Sequence, residues 1–252
     1  MNALKERIAE CWTRRAPMFA EQRQREYDSE KRGRWEAEFR RYLPEARTLD
    51  ALDIGTGSGF FSFLLAEQGH RVTGIDLSEE MIAQAEAAAA RLGIGAAFRV
   101  MDAETPDFPP SSFDAIVTRN LTWTLPHLPE AYRAWFSLLR PGGVLLNFDA
   151  DYCRCVAEGK DMEHALPPKH AHQNISAGLL TENQEITLEL SAYQRPRPQW
   201  DAGLLLDAGF ERLSIDRGVW GRIYAEKDEF YNPVPIFTIA AYKAAEKQGK
   251  EI

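Results

Sequence analysis

Leu52-Asp53-Ile54-Gly55-Thr56-Gly57-Ser58-Gly59 decides the reading of this chain. An apolar run, Leu49 to Ile54, carries one carboxylate and gives way to three alternating glycines, after which Gly59 to Gln68 has the composition of a buried helix. A strand that enters a helix through such a loop brings backbone N–H groups close to a ligand, because glycine has no Cβ and tolerates left-handed dihedrals. Two phosphate-binding versions of the loop are excluded by spacing. A dinucleotide fingerprint starting at Gly55 requires Gly or Ala at position 60, where Phe60 stands. A P-loop requires Gly-Lys followed by Ser or Thr, which does not occur here. Taken alone, the turn is equally compatible with a tight strand-to-helix connection that binds nothing.

Outward from it, short apolar runs alternate with amphipathic stretches, the pattern of βαβ units and a parallel sheet. The predicted strands are Leu49 to Ile54, Arg71 to Ile75, Ala97 to Met101, Ala115 to Thr118 and Val144 to Phe148. Helices are expected at Gly59 to Gln68, at Ser78 to Leu92 and at Leu128 to Leu139, the last stopped by Arg140-Pro141-Gly142-Gly143. Ser78 supplies a capping hydroxyl, with Glu79 and Glu80 in the first turn. A further helix, Trp200 to Gly209, precedes strands at Phe210 to Ile215 and Pro235 to Tyr242, with Asp216 to Val234 read as a polar, partly exposed stretch. Before the sheet, Leu4 to Leu43 reads as helices interrupted near Pro17 and ended before Pro44. The expected organisation of residues 1–252 is thus one domain: a helical lid (1–47), a ligand-binding core (48–149), a substrate-side insertion (150–198) and a C-terminal completion of the sheet (199–252). Asp53, Asp76 and Asp102 each fall at the end of a predicted strand, the edge where open α/β sheets bind ligands. Asp76 is placed to accept both hydroxyls of a ribose, although alone it could equally cap a helix, and Asp102 alone could be a turn acid.

On these residues the chain resembles the class I S-adenosylmethionine-dependent methyltransferases, especially small-molecule enzymes with a Leu-Asp-Ile-Gly-x-Gly-x-Gly loop. The resemblance covers residues 48–149 best. It implies a Rossmann-like seven-stranded α/β sheet, mostly parallel with an antiparallel last strand, helices on both faces, and S-adenosylmethionine as cofactor. It also implies that Asp53 holds the methionyl ammonium, that Gly55, Thr56, Gly57 and Gly59 border the methionyl and ribose parts, that Asp76 with Leu77 and Met81 flanks the ribose, and that Asp102 with Ala103 flanks the adenine. Asn120 and Leu121 inherit the place under the methionine at the end of the fourth strand, and Phe19 belongs to the lid. Members that methylate nucleic-acid amino groups carry Asn or Asp followed by Pro-Pro and an aromatic there; Asn120-Leu121-Thr122-Trp123 departs from that pattern and argues against a base acceptor.

Methyl transfer needs alignment more than covalent catalysis, and a general base only for an acceptor protonated at neutral pH. His127 and Asp149 are the candidate bases, each with a plain alternative as a helix-start or strand-end residue. Tyr27, Trp123, Tyr152, His170 and His172 are the candidate substrate contacts. Cys153, Cys155, His164, His170 and His172 raise the possibility of zinc, but lack a recognised ligand spacing, and no metal is expected. Three cysteines do not make a disulfide framework. The formal net charge of -8, from 30 Lys+Arg against 38 Asp+Glu, offers no general attraction to nucleic acid. The first residues show no apolar leader, and no run of about 18 apolar residues occurs, so a cytoplasmic protein without membrane contact is expected, with a homodimer left open. The expected partner is a small-molecule methyl acceptor. Two other uses of the fold stay open: a tRNA- or protein-directed methyltransferase, and a non-catalytic cofactor- or metal-binding module.

Overall fold

Residues alternate between two apolar faces along the central strands, and that alternation builds the sheet. In a computed structural model, residues 3–44, 47–159, 166–167, 170, 177–190, 192–193 and 195–246 are described. The elements run α1 (Ala3–Tyr27), α2 (Lys31–Arg40), β1 (Asp50–Ile54), α3 (Phe60–Glu67), β2 (Arg71–Asp76), α4 (Glu79–Leu92), β3 (Ala96–Val100), β4 (Phe113–Arg119), a 3-10 turn (Thr122–Thr124), α5 (Leu128–Leu138), β5 (Leu139–Ala150), α6 (Tyr152–Ala157), α7 (Ala177–Glu189), α8 (Gln199–Ala208), β6 (Arg212–Asp216), α9 (Val219–Ile223) and β7 (Ile236–Tyr242). The strands form one seven-stranded sheet in the order β3-β2-β1-β4-β5-β7-β6. β1 to β5 are parallel, and β7 runs antiparallel between β5 and β6. This is the expected α/β architecture.

On one face Ala51, Ala115, Val117, Val144, Leu146 and Phe148 pack with Trp35 and Phe39 of α2, the phenylalanines of α3, and Val219 and Ile223 of α9. On the other Leu52, Ile54, Ile116, Leu145 and Ile239 pack with Leu128, Tyr132 and Trp135 of α5 and Leu205 of α8. The period of two sends alternate side chains to opposite layers, as strands covered on both faces require. Trp35 is enclosed by edge-on contacts with Phe61 at 5.0 Å and Phe148 at 5.4 Å. These geometries add to the area that the rings bury.

Three expectations need correction. Pro17 does not interrupt the first helix: α1 continues through it. A proline inside a helix costs on the order of 3 kcal/mol. Burial of Cys11, Arg15, Ala16, Gln22 and Glu26 along one side of α1, against α4 and α7, outweighs that local penalty. The fifth strand begins at Leu139 rather than Val144, because Leu139 already pairs with Phe113 across a break in register. The stretch 216–234 is not merely polar: it contains α9, whose Val219 and Ile223 are buried, and ends on buried Val234.

Ile116 is fully buried at the centre of β4 between β1 and β5. Ile116→Ala should lower the unfolding free energy by ~2–5 kcal/mol, read as a lower midpoint in urea at unchanged slope.

Candidate active site

Three strands deliver three carboxylates to one edge. Asp53, at the end of β1, is 2% exposed and accepts from Thr56 Oγ1 at 2.7 Å and Ser62 Oγ at 2.8 Å. Burial raises its pKa to about 6 against those two hydrogen bonds, with the charge of Asp76 adding to the rise. The loop then turns back, with the Gly55 and Thr56 N–H groups donating to the Ile75 carbonyl at 2.8 and 2.9 Å. Gly55 takes φ +70°, and a Cβ there would lie 2.8 Å from the Leu121 side chain. Gly59 takes φ +93°, and a Cβ there would lie 2.5 Å from the Phe63 ring. Glycine is therefore the residue that both positions accept. At the end of β2, Asp76 accepts from the Gly57 N–H at 2.9 Å and the Ser78 N–H at 3.0 Å, and burial raises its pKa. Ser78 caps α4 by accepting from the Met81 N–H at 3.2 Å, and its hydroxyl also meets Thr13 of α1 at 2.9 Å. Beyond β3, Asp102 accepts from Lys5 Nζ at 2.6 Å and from the Glu104 N–H at 2.9 Å. Each carboxylate oxygen keeps a second lone pair, so these contacts leave Asp76 and Asp102 able to accept from a ligand.

These acids open on a cavity of about 350 Å³ beneath α1. Of the residues named from the sequence as cofactor contacts, Asp53, Gly55, Thr56, Gly57, Asp76, Leu77, Met81, Asp102, Ala103, Asn120, Leu121 and Phe19 line it. Gly59 is not among the lining residues, and its part is to turn the chain into α3. Trp123, Tyr152 and His170 also line it. There the Tyr152 hydroxyl donates to Asn120 Oδ1 at 3.1 Å and accepts from Asn232 Nδ2 at 2.6 Å, with the Trp123 and Tyr152 ring centroids 5.2 Å apart. Asn120 holds the left-handed φ of +54°, a conformation that asparagine tolerates better than most side chains.

Three candidates lie elsewhere. The Tyr27 hydroxyl donates to Glu67 at 2.6 Å and its ring packs on Phe63, so it faces α3 and not the cavity. His127 is the residue before α5, its N–H donating to Glu104 at 2.5 Å, and it is not among the lining residues. Asp149 is fully buried behind the cavity wall, accepting from Thr122 Oγ1 at 2.5 Å and paired with Arg197 at 3.3 Å. Its carboxylate thus belongs to an internal network and is not among the residues that line the cavity. His164 and His172 lie outside the described residues. Cys153 is buried with Cys11 among Ile186 and Leu190, and no cluster of three or more His, Cys, Asp or Glu side chains suited to a metal occurs among the described residues.

Sequence reasoning missed Glu26, Arg23, Arg119 and Lys5. Glu26, buried in α1, accepts from Trp35 Nε1 at 2.9 Å, from the two terminal nitrogens of Arg119 at 2.9 and 3.2 Å, and from Arg23. Arg119 also lies 4.4 Å above the Trp35 ring. The Arg-rich composition of the first segment was visible, but which of its charges turn inward depends on the unbroken phase of α1 through Pro17.

Residues 51–143 match the sequence profile of a family described as a methyltransferase domain. Over those residues the chain is similar to a methyltransferase domain. Around this domain, phosphoethanolamine N-methyltransferase 1 of Arabidopsis thaliana is 39% identical over 104 residues, 41% of this chain and 21% of that protein. Nocamycin O-methyltransferase of Saccharothrix syringae is 37% identical over 99 residues, 38% of this chain and 35% of that protein. The matched stretch therefore covers well under half the length of either curated relative. Among solved structures, the PH0226 protein of Pyrococcus horikoshii OT3 aligns over 82% of this chain and 87% of its own with a TM-score of 0.58 at 18% identity. An S-adenosylmethionine-dependent methyltransferase from Mesorhizobium loti aligns over 82% and 96% with a TM-score of 0.57 at 20% identity. At those identities the likeness concerns the fold. No helix among the described residues is long and apolar enough to cross a membrane.

Glu26→Gln would leave two guanidiniums, 14% and 10% exposed, without their shared counter-charge. Stability should fall by ~3–5 kcal/mol, as for other buried pairs that lose one partner, and thermal or urea unfolding of the purified variant checks this.

Proposed function

We propose that this chain transfers a methyl group from S-adenosylmethionine to a small-molecule acceptor. The observation that carries the reading is the convergence of Asp53, Asp76 and Asp102, from the ends of β1, β2 and β3, on one cavity beside the glycine turn. The donor set suits the cofactor. A buried carboxylate at Asp53 matches an ammonium, Asp76 has acceptor capacity for a ribose diol, and Asp102 beside Ala103 matches an exocyclic amine. Gly55 and Gly57 leave the backbone bare on that side. When bound, the cofactor supplies an already activated methyl on a sulfonium. The work left to the chain is to orient the two substrates and to exclude water.

Phe19 and Trp12, edge to face with centroids 5.8 Å apart, roof the cavity and keep water out. Tyr152, Asn120 and Asn232 form a polar end where an acceptor can be oriented. None of the lining groups there is poised as a strong base. Burial pushes the Tyr152 hydroxyl far above its ordinary value, and burial followed by the charges of Arg23 and Arg15 pushes His170 down to about 4. The arrangement favours an acceptor whose nucleophilic atom is free of its proton near neutral pH. The acidic net charge and the Asn120-Leu121-Thr122-Trp123 sequence favour a small acceptor over nucleic acid. The N- and O-methyltransferase names among the relatives leave the methylated atom undecided between these types.

Calorimetry with S-adenosylhomocysteine should show one site per chain, and Asp76→Ala should weaken it about 30-fold or more, since charge-assisted hydrogen bonds are lost. No heat of binding by the folded wild-type protein would sink the reading. A pH titration gives a second check. The pKa of about 6 for Asp53 belongs to the free protein. An ammonium ligand favours the ionised form, so affinity is complete above pH 6 and lost as pH falls below it. S-adenosylhomocysteine should bind about tenfold more weakly at pH 5 than at pH 8, and Asp53→Asn should flatten that dependence.

A further inference from the structure

The sheet ends on a strand whose charges are complementary to themselves. β6 has β7 on one side and no strand on the other. With its flanking residues it runs Glu211-Arg212-Leu213-Ser214-Ile215-Asp216-Arg217, an acid and a base at each end and two apolar residues about a central serine. Leu213 packs into the layer of α5 and α8, and the period of two sends Ile215, 43% exposed, to that same face. Arg212 and Asp216 belong to the opposite face. There the Arg212 guanidinium lies 3.9 Å from the centre of the Tyr242 ring, and Asp216 accepts from Arg222, from the Gly218 N–H and from Tyr42. Glu211, Arg212 and Arg217 are exposed and form no ion pair among the described residues. The five residues of β6 hold no proline and their register with β7 has no bulge, so the outer row of N–H and C=O groups is a template for a further strand.

The strand that fits this template is a second copy of itself. Laid antiparallel with the two-fold axis at Ser214, Arg212 of each copy stands opposite Asp216 of the other and Leu213 opposite Ile215, with Glu211 and Arg217 meeting at the ends. Opposed residues share a face, so opposite charges meet on one side of the sheet and apolar side chains on the other. Within one chain Arg212 and Asp216 are about 13 Å apart along the strand and cannot pair. A slip of one residue in either direction sets Glu211 against Asp216 or Arg212 against Arg217, so repulsion as well as attraction fixes the register. The other edge lacks this property. Centred on Phe98, β3 would set Arg99 against Ala97 and Ala96 against Val100, with no opposite charges. We propose that β6 is a self-recognition edge through which two copies of this chain join their sheets in one antiparallel seam. Strands this short bury little area, so the dimer is a weak one, with a dissociation constant on the order of 1–100 µM. None of residues 211–217 lines the cavity, so the seam uses residues apart from the proposed cofactor site.

The test is sedimentation equilibrium of the full chain from about 1 to 300 µM, over which the mean mass should rise from that of one chain toward that of two. Glu211→Lys and Arg217→Glu each set like charges opposite one another at both ends of the seam, and each should weaken self-association at least about tenfold. Mixed in equal amounts, the two variants are complementary to each other and should associate about as well as the wild type. Both positions are exposed, so the substitutions leave the packed core untouched. The register is read separately. Ser214→Cys lies on the axis and should cross-link the dimer under mild oxidation, whereas Arg212→Cys, with its two copies more than about 13 Å apart, should not. The wild type, whose Cys11 and Cys153 are buried, sets the background for cross-linking. A chain that stays monomeric over the whole range would overturn the proposal. So would a dimer that both charge reversals leave unchanged, or one in which Ser214→Cys cross-links no more than the wild type.

Discussion

The carboxylate of Glu26 accepts from the Trp35 indole, from both terminal nitrogens of Arg119 and from Arg23, and the docking of α1 across the strand ends depends on it. These donors come from α1 itself, from α2 and from the end of β4, so one buried charge ties α1 to α2 and the sheet. A carboxylate withdrawn from water costs several kcal/mol unless its lone pairs are filled, and here they are filled by charged or indole N–H donors. The same contact brings Phe19 and Arg23 over the glycine turn. Without it, the acids at the strand ends would face open solvent, where their electrostatic influence on a ligand is screened.

A second buried network holds the far wall. Arg197 donates to Asp201 at 2.6 and 2.8 Å and to Thr122 at 2.6 Å, with Asp149 paired at 3.3 Å; Tyr132 donates to Asp201 at 2.7 Å, and Asn147 to Tyr132 at 3.0 Å. It joins β5, α5, α8 and the turn after β4, which keeps the segment that carries Asn120 and Trp123 in place. The cavity lies beyond this network, lined by Asp53, Asp76 and Asp102. Asp53 shows what such a site costs: its folded pKa, raised to about 6, means that the stability linked to its protonated form is lost as pH rises through that value. Burial in the fold thus favours the protonated acid.

Much of the site was legible because its signals are local. The period-two runs set the central strands, the glycine turn needs only dihedral freedom and the absence of Cβ, and the Ser78 cap lies within four residues of its partner. Asp53, Asp76 and Asp102 follow from their places at strand ends. The candidates that the structure places away from the cavity share one cause. Tyr27 and Asp149 are residue types that suit a site, but their side-chain partners Glu67 and Arg197 lie 40 and 48 positions away, and no local pattern says which way the side chains turn. Pro17 is the same error in backbone form, a local penalty outweighed by burial along the whole of α1.

By itself, then, the sequence determined the strand-turn-helix unit, the parallel core and the three acids at its edge, since each is dictated by chemistry within a few residues of chain. The tertiary structure decided which charges of the N-terminal segment face inward, that Glu26 joins α1 to α2 and the sheet, and that Asp149 is bound to Arg197 and Thr122. Those outcomes depend on burial and on pairing between distant segments, where the free energy of a charge is set by its neighbours in space and not by its neighbours in the chain.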